Sequence, residues 1–283
     1  MKLPGFRPYY QLAVNSVYRL NKPQAALDYL ARCDTTDFDF DNKPSDQLFY
    51  SVKTSALIKL RRHEEVVQLT SSLPFKIIAS IRVNRWRSLY FLNKNETADK
   101  EVADFFLDNR PTSVAPHMAL FRAALIKNDT AAATLNYHRF MSYEKQLKQI
   151  ANVQLFVRAV MMFRMNDNIS EAEKILSQDL LIGNRNRRIH QLGILYAVSG
   201  RPEKAKEVID DMLAHENLHD NGFTRYYIAK IELALGNKDK SMEYLQQSLK
   251  KGMEFGEDLF EYDSDLKDLF DYSPFIELVK PKG

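Results

Sequence analysis

The chain has 283 residues, of which 45% are hydrophobic and 27% charged, so it can bury a core and is not a disordered tail. Its 40 basic and 37 acidic side chains leave a formal net charge of +3, without the dense basic footprint typical of nucleic-acid binders. The single cysteine excludes an intramolecular disulfide and a cysteine-rich zinc site. No apolar run approaches the ~20 residues of a membrane span, and residues 1–12 lack a signal-peptide core, which predicts a cytoplasmic protein without membrane contact.

From the amino terminus onward, a small or β-branched residue recurs in amphipathic segments at intervals of 32 to 40 residues. These marker residues are Ala26, Val66, Ala98, Ala133, Ala172, Ala205 and Ser241. Two helices of a hairpin approach each other to about 8–10 Å, and the crossing point favours a small side chain. The intervals therefore predict about seven helix hairpins joined by connections of different lengths.

The two clearest hairpins are residues 192–213 and 228–249. Each begins with an apolar helix, reaches a glycine, Gly200 or Gly236, and continues into a second amphipathic helix. Glycine allows the left-handed backbone that ends a helix, and Pro202 suits the first turn of the helix that follows Gly200. We therefore expect left-handed turns at both glycines.

In the clearest hairpin, the motif consists of Leu192, Gly193, Tyr196, Gly200, Ala205 and Ile209. With this motif the chain resembles the tetratricopeptide repeat (TPR) family. The resemblance implies an all-α fold, a right-handed α-solenoid of about seven TPR-like helix hairpins in a single domain spanning residues 1–283. The repeats are degenerate over residues 1–147 and clearer over residues 148–252.

The carboxy-terminal residues 253–283 carry a second pattern, formed by Asp265, Leu266, Leu269, Pro274, Phe275 and Leu278. This pattern resembles the closing segment of TPR modules in bacterial signalling and regulatory proteins. An array of repeats needs its last apolar face covered, so we expect these residues to form a cap that packs on the last hairpin. The resemblance also implies a regulatory or docking role.

In TPR proteins the first helices of successive hairpins line a concave groove that holds peptides. Carrying over the family's register gives a candidate groove formed by Asn84, Arg87, Met118, Arg122, Arg158, His190, Tyr226 and Lys230. Guanidinium groups bind carboxylates bidentately and methionine accommodates apolar anchors, so the set suits an acidic peptide. The alternative is that the arginines pair with acids on neighbouring hairpins. Arg158, which interrupts an apolar run, must face the groove or meet a carboxylate.

One stretch, HENLH at residues 215–219, matches the zinc-hydrolase motif H-E-x-x-H. His215, however, falls at the expected end of a second helix, and Asp220, Asn221 and Gly222 follow at once as turn formers. Zinc ligands need a continuous, rigid helical face, so we predict no metal. The sequence also lacks the motifs G-x-x-x-x-G-K-[ST], G-x-G-x-x-G and G-x-S-x-G, so we predict no cofactor and no enzymatic activity.

The sequence thus favours a non-catalytic scaffold that binds a protein or peptide through its groove. Two alternatives from other classes are a zinc-dependent hydrolase that uses HENLH and an RNA-binding helical repeat. The second alternative depends on two basic clusters, since arginine beside an aromatic ring can contact nucleic acid. The first consists of Arg82, Arg85 and Arg87 around Trp86, and the second of Arg185, Arg187 and Arg188 at an expected helix start.

Overall fold

The structure, a computed structural model, describes residues 6–35, 44–73, 79–109, 115–145, 151–178, 185–217, 219–256 and 259–282. Within these ranges the protein contains α-helices and short 3₁₀ helices and no β-strand, which confirms the all-α prediction. No helix in the described part of the chain is both long enough and apolar enough to cross a membrane.

The helices occupy, in chain order, α1 Phe6–Tyr18, α2 Pro23–Leu30, α3 Pro44–Lys59, α4 His63–Ser71, α5 Ala79–Phe91, α6 Asn95–Asn109, α7 Ala115–Ile126, α8 Thr130–Glu144, α9 Asn152–Arg164, α10 Ile169–Ser177, α11 Arg185–Val198, α12 Pro202–Ala214, α13 Phe223–Ala234, α14 Lys238–Lys250 and α15 Ser273–Val279. Two 3₁₀ helices, Phe260–Tyr262 and Ser264–Leu269, precede α15.

The chain divides into two compact units. Unit 1 comprises the described residues within 1–123, 255–259 and 279–283, and unit 2 comprises those within 124–254 and 260–278. In unit 1, α1 packs on α2, α3 on α4 and α5 on α6, and the first helices α1, α3 and α5 also contact one another in succession. Apolar side chains including Ala13, Val17, Phe49 and Val52 form the core between its first two hairpins.

Unit 2 repeats this arrangement with three further hairpins. Helix α9 packs on α10, α11 on α12 and α13 on α14, while α8 packs against α9. The first helices α9, α11 and α13 contact one another in succession. We call the surface that these three helices form the first-helix face of unit 2.

The marker residues lie in the second helices α2, α4, α6, α8, α10, α12 and α14, as the hairpin prediction requires. All seven are buried, and none is more than 1% exposed. A larger side chain at these positions would push the two helices of the hairpin apart. Contacts between paired helices confirm six hairpins within the described residues, and α7 and α8 follow one another in the order that the predicted seventh hairpin requires.

The turns between the paired helices use left-handed backbone, as predicted at Gly200 and Gly236, whose φ angles are +71° and +85°. The residues with positive φ at the corresponding turns of the other hairpins are Asn21, Arg61, Asn93, Asn128, Asn166 and Asn168. Asparagine tolerates this conformation better than most residues, and it ends these helices as glycine does elsewhere. The next amide then closes the turn: the Arg201 N–H donates to the Tyr196 carbonyl oxygen at 2.9 Å.

Candidate functional site

The tail segment, defined here as Phe260–Leu278, lies in unit 2 and packs on its first-helix face. Its second 3₁₀ helix contacts α13. Five large side chains of the segment are buried, namely Phe260, Tyr262, Leu266, Leu269 and Phe275, while Phe270 is half-buried. The Tyr272 hydroxyl donates a hydrogen bond to Asp239 of α14 at 2.6 Å. The segment therefore covers the last hairpin, and it also contacts α9 and α11 of the two preceding hairpins.

Asp263 of the tail segment contacts α13 through its carboxylate. Its Oδ2 accepts a hydrogen bond from the Tyr226 hydroxyl at 2.8 Å and lies 3.0 Å from the Lys230 Nζ. The Tyr226 oxygen in turn accepts the Phe260 backbone N–H at 3.0 Å. The Lys230 and Asp263 side chains are only 4% and 6% exposed, so both charges are removed from water and depend on each other.

Asp265 places a second carboxylate among α9, α11 and α13. It lies 2.7 Å from the Lys230 Nζ, pairs with the Arg164 guanidinium at the end of α9, and accepts the Gln191 side-chain amide at 3.0 Å. Burial by itself would raise the pKa of the Asp265 carboxyl. The charges of Arg164 and Lys230, with the hydrogen bonds from Lys230 and Gln191, outweigh burial and hold that pKa well below its ordinary value.

His190 is buried in α11 beside this ionic cluster. Its ring stacks on Tyr227 with 4.2 Å between centroids, and its Nδ1 donates to the Asn186 carbonyl at 3.1 Å. Burial first, and the Lys230 charge second, lower the His190 pKa well below its ordinary value. The imidazole is therefore neutral, and its Nε2 accepts the Gln191 amide at 2.6 Å. His190 thus orients the glutamine that holds Asp265.

Arg158, which the register places in the groove, pairs with carboxylates on neighbouring helices. Its Nη1 lies 3.2 Å from Glu144 of α8, and its Nη2 lies 3.7 Å from Glu171 of α10. Glu144 is almost fully buried, and burial raises its pKa more strongly than Arg158 lowers it. This arrangement is the structural alternative that the sequence left open for Arg158.

The remaining predicted groove residues lie in unit 1. Asn84 of α5 is fully buried and donates to the Thr54 hydroxyl of α3 at 3.1 Å. Arg87 and Met118 are also buried, and Arg122 is half-buried. The eight predicted residues are therefore divided equally between the two units. Among them, Tyr226 and Lys230 contact the tail segment directly.

Four residues of this cluster were not identified as site residues from the sequence, namely Arg164, Gln191, Asp263 and Asp265. A signal for the last two is present: four aspartates fall between residues 263 and 271, close in sequence to a strongly apolar pattern. An acidic, apolar segment is the kind of ligand predicted for the groove. No pattern in the sequence indicates that the acidic segment packs on the predicted groove residues of its own chain.

The HENLH motif lies in the connection between α12 and α13. His215 is the residue that ends α12, and its Nδ1 lies 2.8 Å from the Asp211 carbonyl oxygen. Glu216 forms two hydrogen bonds with the Arg225 guanidinium, at 2.8 and 2.7 Å, and lies 3.0 Å from the Lys251 Nζ. The described residues contain no group of three His, Cys, Asp or Glu side chains placed to hold a metal ion.

Glu216 fastens the α12–α13 connection to α13 and to the end of α14. Hydrogen bonding to Arg225, with a further contribution from Lys251, lowers its pKa and makes it a weak base.

We expect Glu216→Gln to lower the free energy of unfolding by about 1–2 kcal/mol, because Arg225 and Lys251 lose a partly buried carboxylate. Urea denaturation measures this change. Glu207→Gln, on the exposed surface of α12, is the control and should have no effect beyond about 0.5 kcal/mol. Equal stability of the two variants would contradict this role.

Residues of both basic clusters behind the RNA-binding alternative make contacts within their own units. In unit 2, Arg188 donates to the Leu176 carbonyl oxygen at 3.1 Å, and in unit 1 the contacts are those of Arg85 and Arg82. Arg85 forms a bidentate ion pair with Glu101 of α6 and also donates to the Val67 carbonyl at 2.9 Å. The Arg82 guanidinium lies 4.8 Å from the centroid of the Phe105 ring. These contacts join α5 to α4 and α6.

No protein-family model matches the chain, and a search of curated proteins gives no match. Among solved structures, the chain is similar to a tetratricopeptide repeat protein from Parabacteroides merdae ATCC 43184. The two are 13% identical, with a TM-score of 0.46, and the match covers 98% of this chain and 99% of that one. The repeat architecture described above rests on the helix hairpins of this chain alone.

Proposed function

We propose that this protein is a non-catalytic scaffold that binds a protein or peptide partner through the first helices of its hairpins, in a cytoplasmic regulatory or assembly role. The observation that supports this most is the seating of the tail segment on the first-helix face of unit 2. A short acidic segment is held there by side chains of α9, α11 and α13. A face that holds such a segment within the chain has the chemistry to hold one from a partner.

The chemistry of this face favours an acidic ligand with apolar anchors. Lys230 and Arg164 supply positive charge, and Tyr226 and Gln191 supply neutral donors within the same cluster. The proposed binding residues of this face are Tyr226 and Lys230 of the predicted groove together with Arg164 and Gln191, with His190 orienting Gln191. The resemblance of the tail to closing segments of bacterial regulators supports the regulatory part of the proposal.

Site-specific photo-crosslinking tests whether a partner binds the first helices. Phe223, at the start of α13, and Leu135, in the second helix α8, are both exposed apolar residues of unit 2, 37% and 42% exposed. A photoreactive phenylalanine analogue is placed at each position in turn, and captured proteins are identified by mass spectrometry. We expect one partner to be captured at position 223 and not at position 135. The same partner, once purified, should bind the unmodified chain in calorimetry. Capture at position 135 alone would contradict the proposal.

A further inference from the structure

The contacts between the tail segment and unit 2 separate into an apolar part and an ionic part. Phe260, Leu266, Leu269 and Phe275 would suffice to cover an apolar face. The segment nevertheless also brings Asp263 and Asp265 into a buried site against Lys230 and Arg164. Burying ion pairs costs desolvation energy that apolar packing does not, so apolar residues in place of both partners would cover the face without a loss of stability. The ionic part therefore has the character of a specific binding site.

The backbone at the start of the tail segment is strained as well. Phe260 has a φ of +54°, a left-handed conformation that is rare for a bulky residue. Its ring is fully buried, 5.3 Å from the Tyr226 ring between centroids, and its N–H is held by the Tyr226 hydroxyl. Contacts with Tyr226 hold Phe260 in this conformation, and release of the segment would relieve the strain.

We infer that the first-helix face of unit 2 recognises short peptides of the pattern Asp-x-Asp-Leu-x-x-Leu, and that the tail segment is an intramolecular competitor for such a partner. This inference rests on the proposed function. The pattern is that of Asp263, Asp265, Leu266 and Leu269 in the chain itself. A partner peptide supplies two carboxylates to Lys230 and Arg164 and two leucines to the sites that Leu266 and Leu269 occupy. Binding of the partner and binding of the tail segment exclude each other.

A synthetic, fluorescein-labelled peptide copying residues 259–272 tests this inference with the full-length chain. Asp265→Asn removes one charge from the tail segment without changing its size, and so weakens the competitor while leaving the face intact. We expect this variant to bind the peptide at least about tenfold more tightly than the wild type in fluorescence anisotropy. Asp268→Asn, an exposed aspartate of the same segment, is the matched control and should bind the peptide as the wild type does.

A second peptide, with asparagine at both positions corresponding to Asp263 and Asp265, separates recognition of charge from apolar adhesion. It should bind the Asp265→Asn chain at least about tenfold more weakly than the parent peptide. Equal binding of both peptides, or equal affinity of the parent peptide for the wild type and Asp265→Asn, would overturn the inference.

Hydrogen exchange of the wild type provides a test that does not depend on a variant remaining folded. Backbone amides of the tail segment should exchange through a local opening that leaves α9, α11 and α13 protected, and excess parent peptide should speed that exchange. Exchange of the tail segment only together with global unfolding would overturn the inference. A partner crosslinked at Phe223 would still support the proposed function if these peptide experiments failed, so the two proposals can fail separately.

Discussion

Replacing Asp265 by asparagine should lower the free energy of unfolding by about 3 kcal/mol, toward the lower end of the cost of removing one partner of a buried ion pair. The substitution keeps the shape of the side chain but removes the carboxylate that pairs with Arg164 and Lys230. Both cations then lose a charged partner in a site with little access to water. Urea denaturation followed by circular dichroism measures the change.

Asp268→Asn is the control for this prediction, because Asp268 is exposed on the same 3₁₀ helix and its replacement should change stability by less than about 0.5 kcal/mol. A loss of similar size in both variants would show that the segment tolerates no substitution, and would contradict a specific role of the buried ion pair.

The free energy of unfolding should also depend on pH through the ionisation of Asp265. The folded-state pKa of Asp265 is depressed below the value of about 3.9 expected in the unfolded chain. Its contribution to stability is therefore fully present above about pH 5 and is lost as the pH falls below about 4. The wild type should lose more stability than Asp265→Asn between pH 5 and the acid limit, where the two curves converge. Parallel curves over that range would contradict the assignment.

Gly222→Ala should lower the free energy of unfolding by roughly 3 kcal/mol, through two effects at one residue. Gly222 precedes α13 with a φ of +82°, which an L-residue adopts only at a cost. A Cβ at this position would also lie 2.2 Å from the Ser248 carbonyl oxygen. That oxygen belongs to the backbone of α14, so the contact cannot be relieved by rotation of a side chain.

Gly236→Ala separates the two effects, because Gly236 has a similar φ of +85° and a Cβ there would meet no atom within 4 Å. We expect this control to cost about 1 kcal/mol, the conformational part alone. Thermal or urea denaturation of the two variants side by side provides the comparison. Equal losses would show that α13 and α14 can separate at Ser248 without cost.

Much of the hairpin architecture could be predicted from the sequence because it depends on local requirements. The seven marker residues are buried because each lies where its own two helices cross, within a few tens of residues of chain. The turn residues are local too. Asparagines such as Asn93 and Asn128 indicate left-handed turns from the sequence, as the glycines do. Each stands five residues before a marker residue, as Gly200 and Gly236 do.

The content of the candidate site could be predicted only in part. Tyr226 and Lys230 were identified from the repeat register, and both contact an acidic segment in the structure. Arg158 was assigned by the same register, but its guanidinium pairs with Glu144 and Glu171. Helical periodicity places a residue on one side of its helix. It does not specify which carboxylates on neighbouring helices come within reach.

The sequence by itself determined the number of hairpins, their boundaries near the turns and the small residues at their crossings, because these follow from steric rules between residues close in the chain. Only the tertiary structure decided that the tail segment lies on the first-helix face of unit 2. That placement depends on contacts such as Arg164 with Asp265, which join residues 101 positions apart. Pairing over such distances reflects the complementarity of whole surfaces, which local patterns in one sequence do not encode.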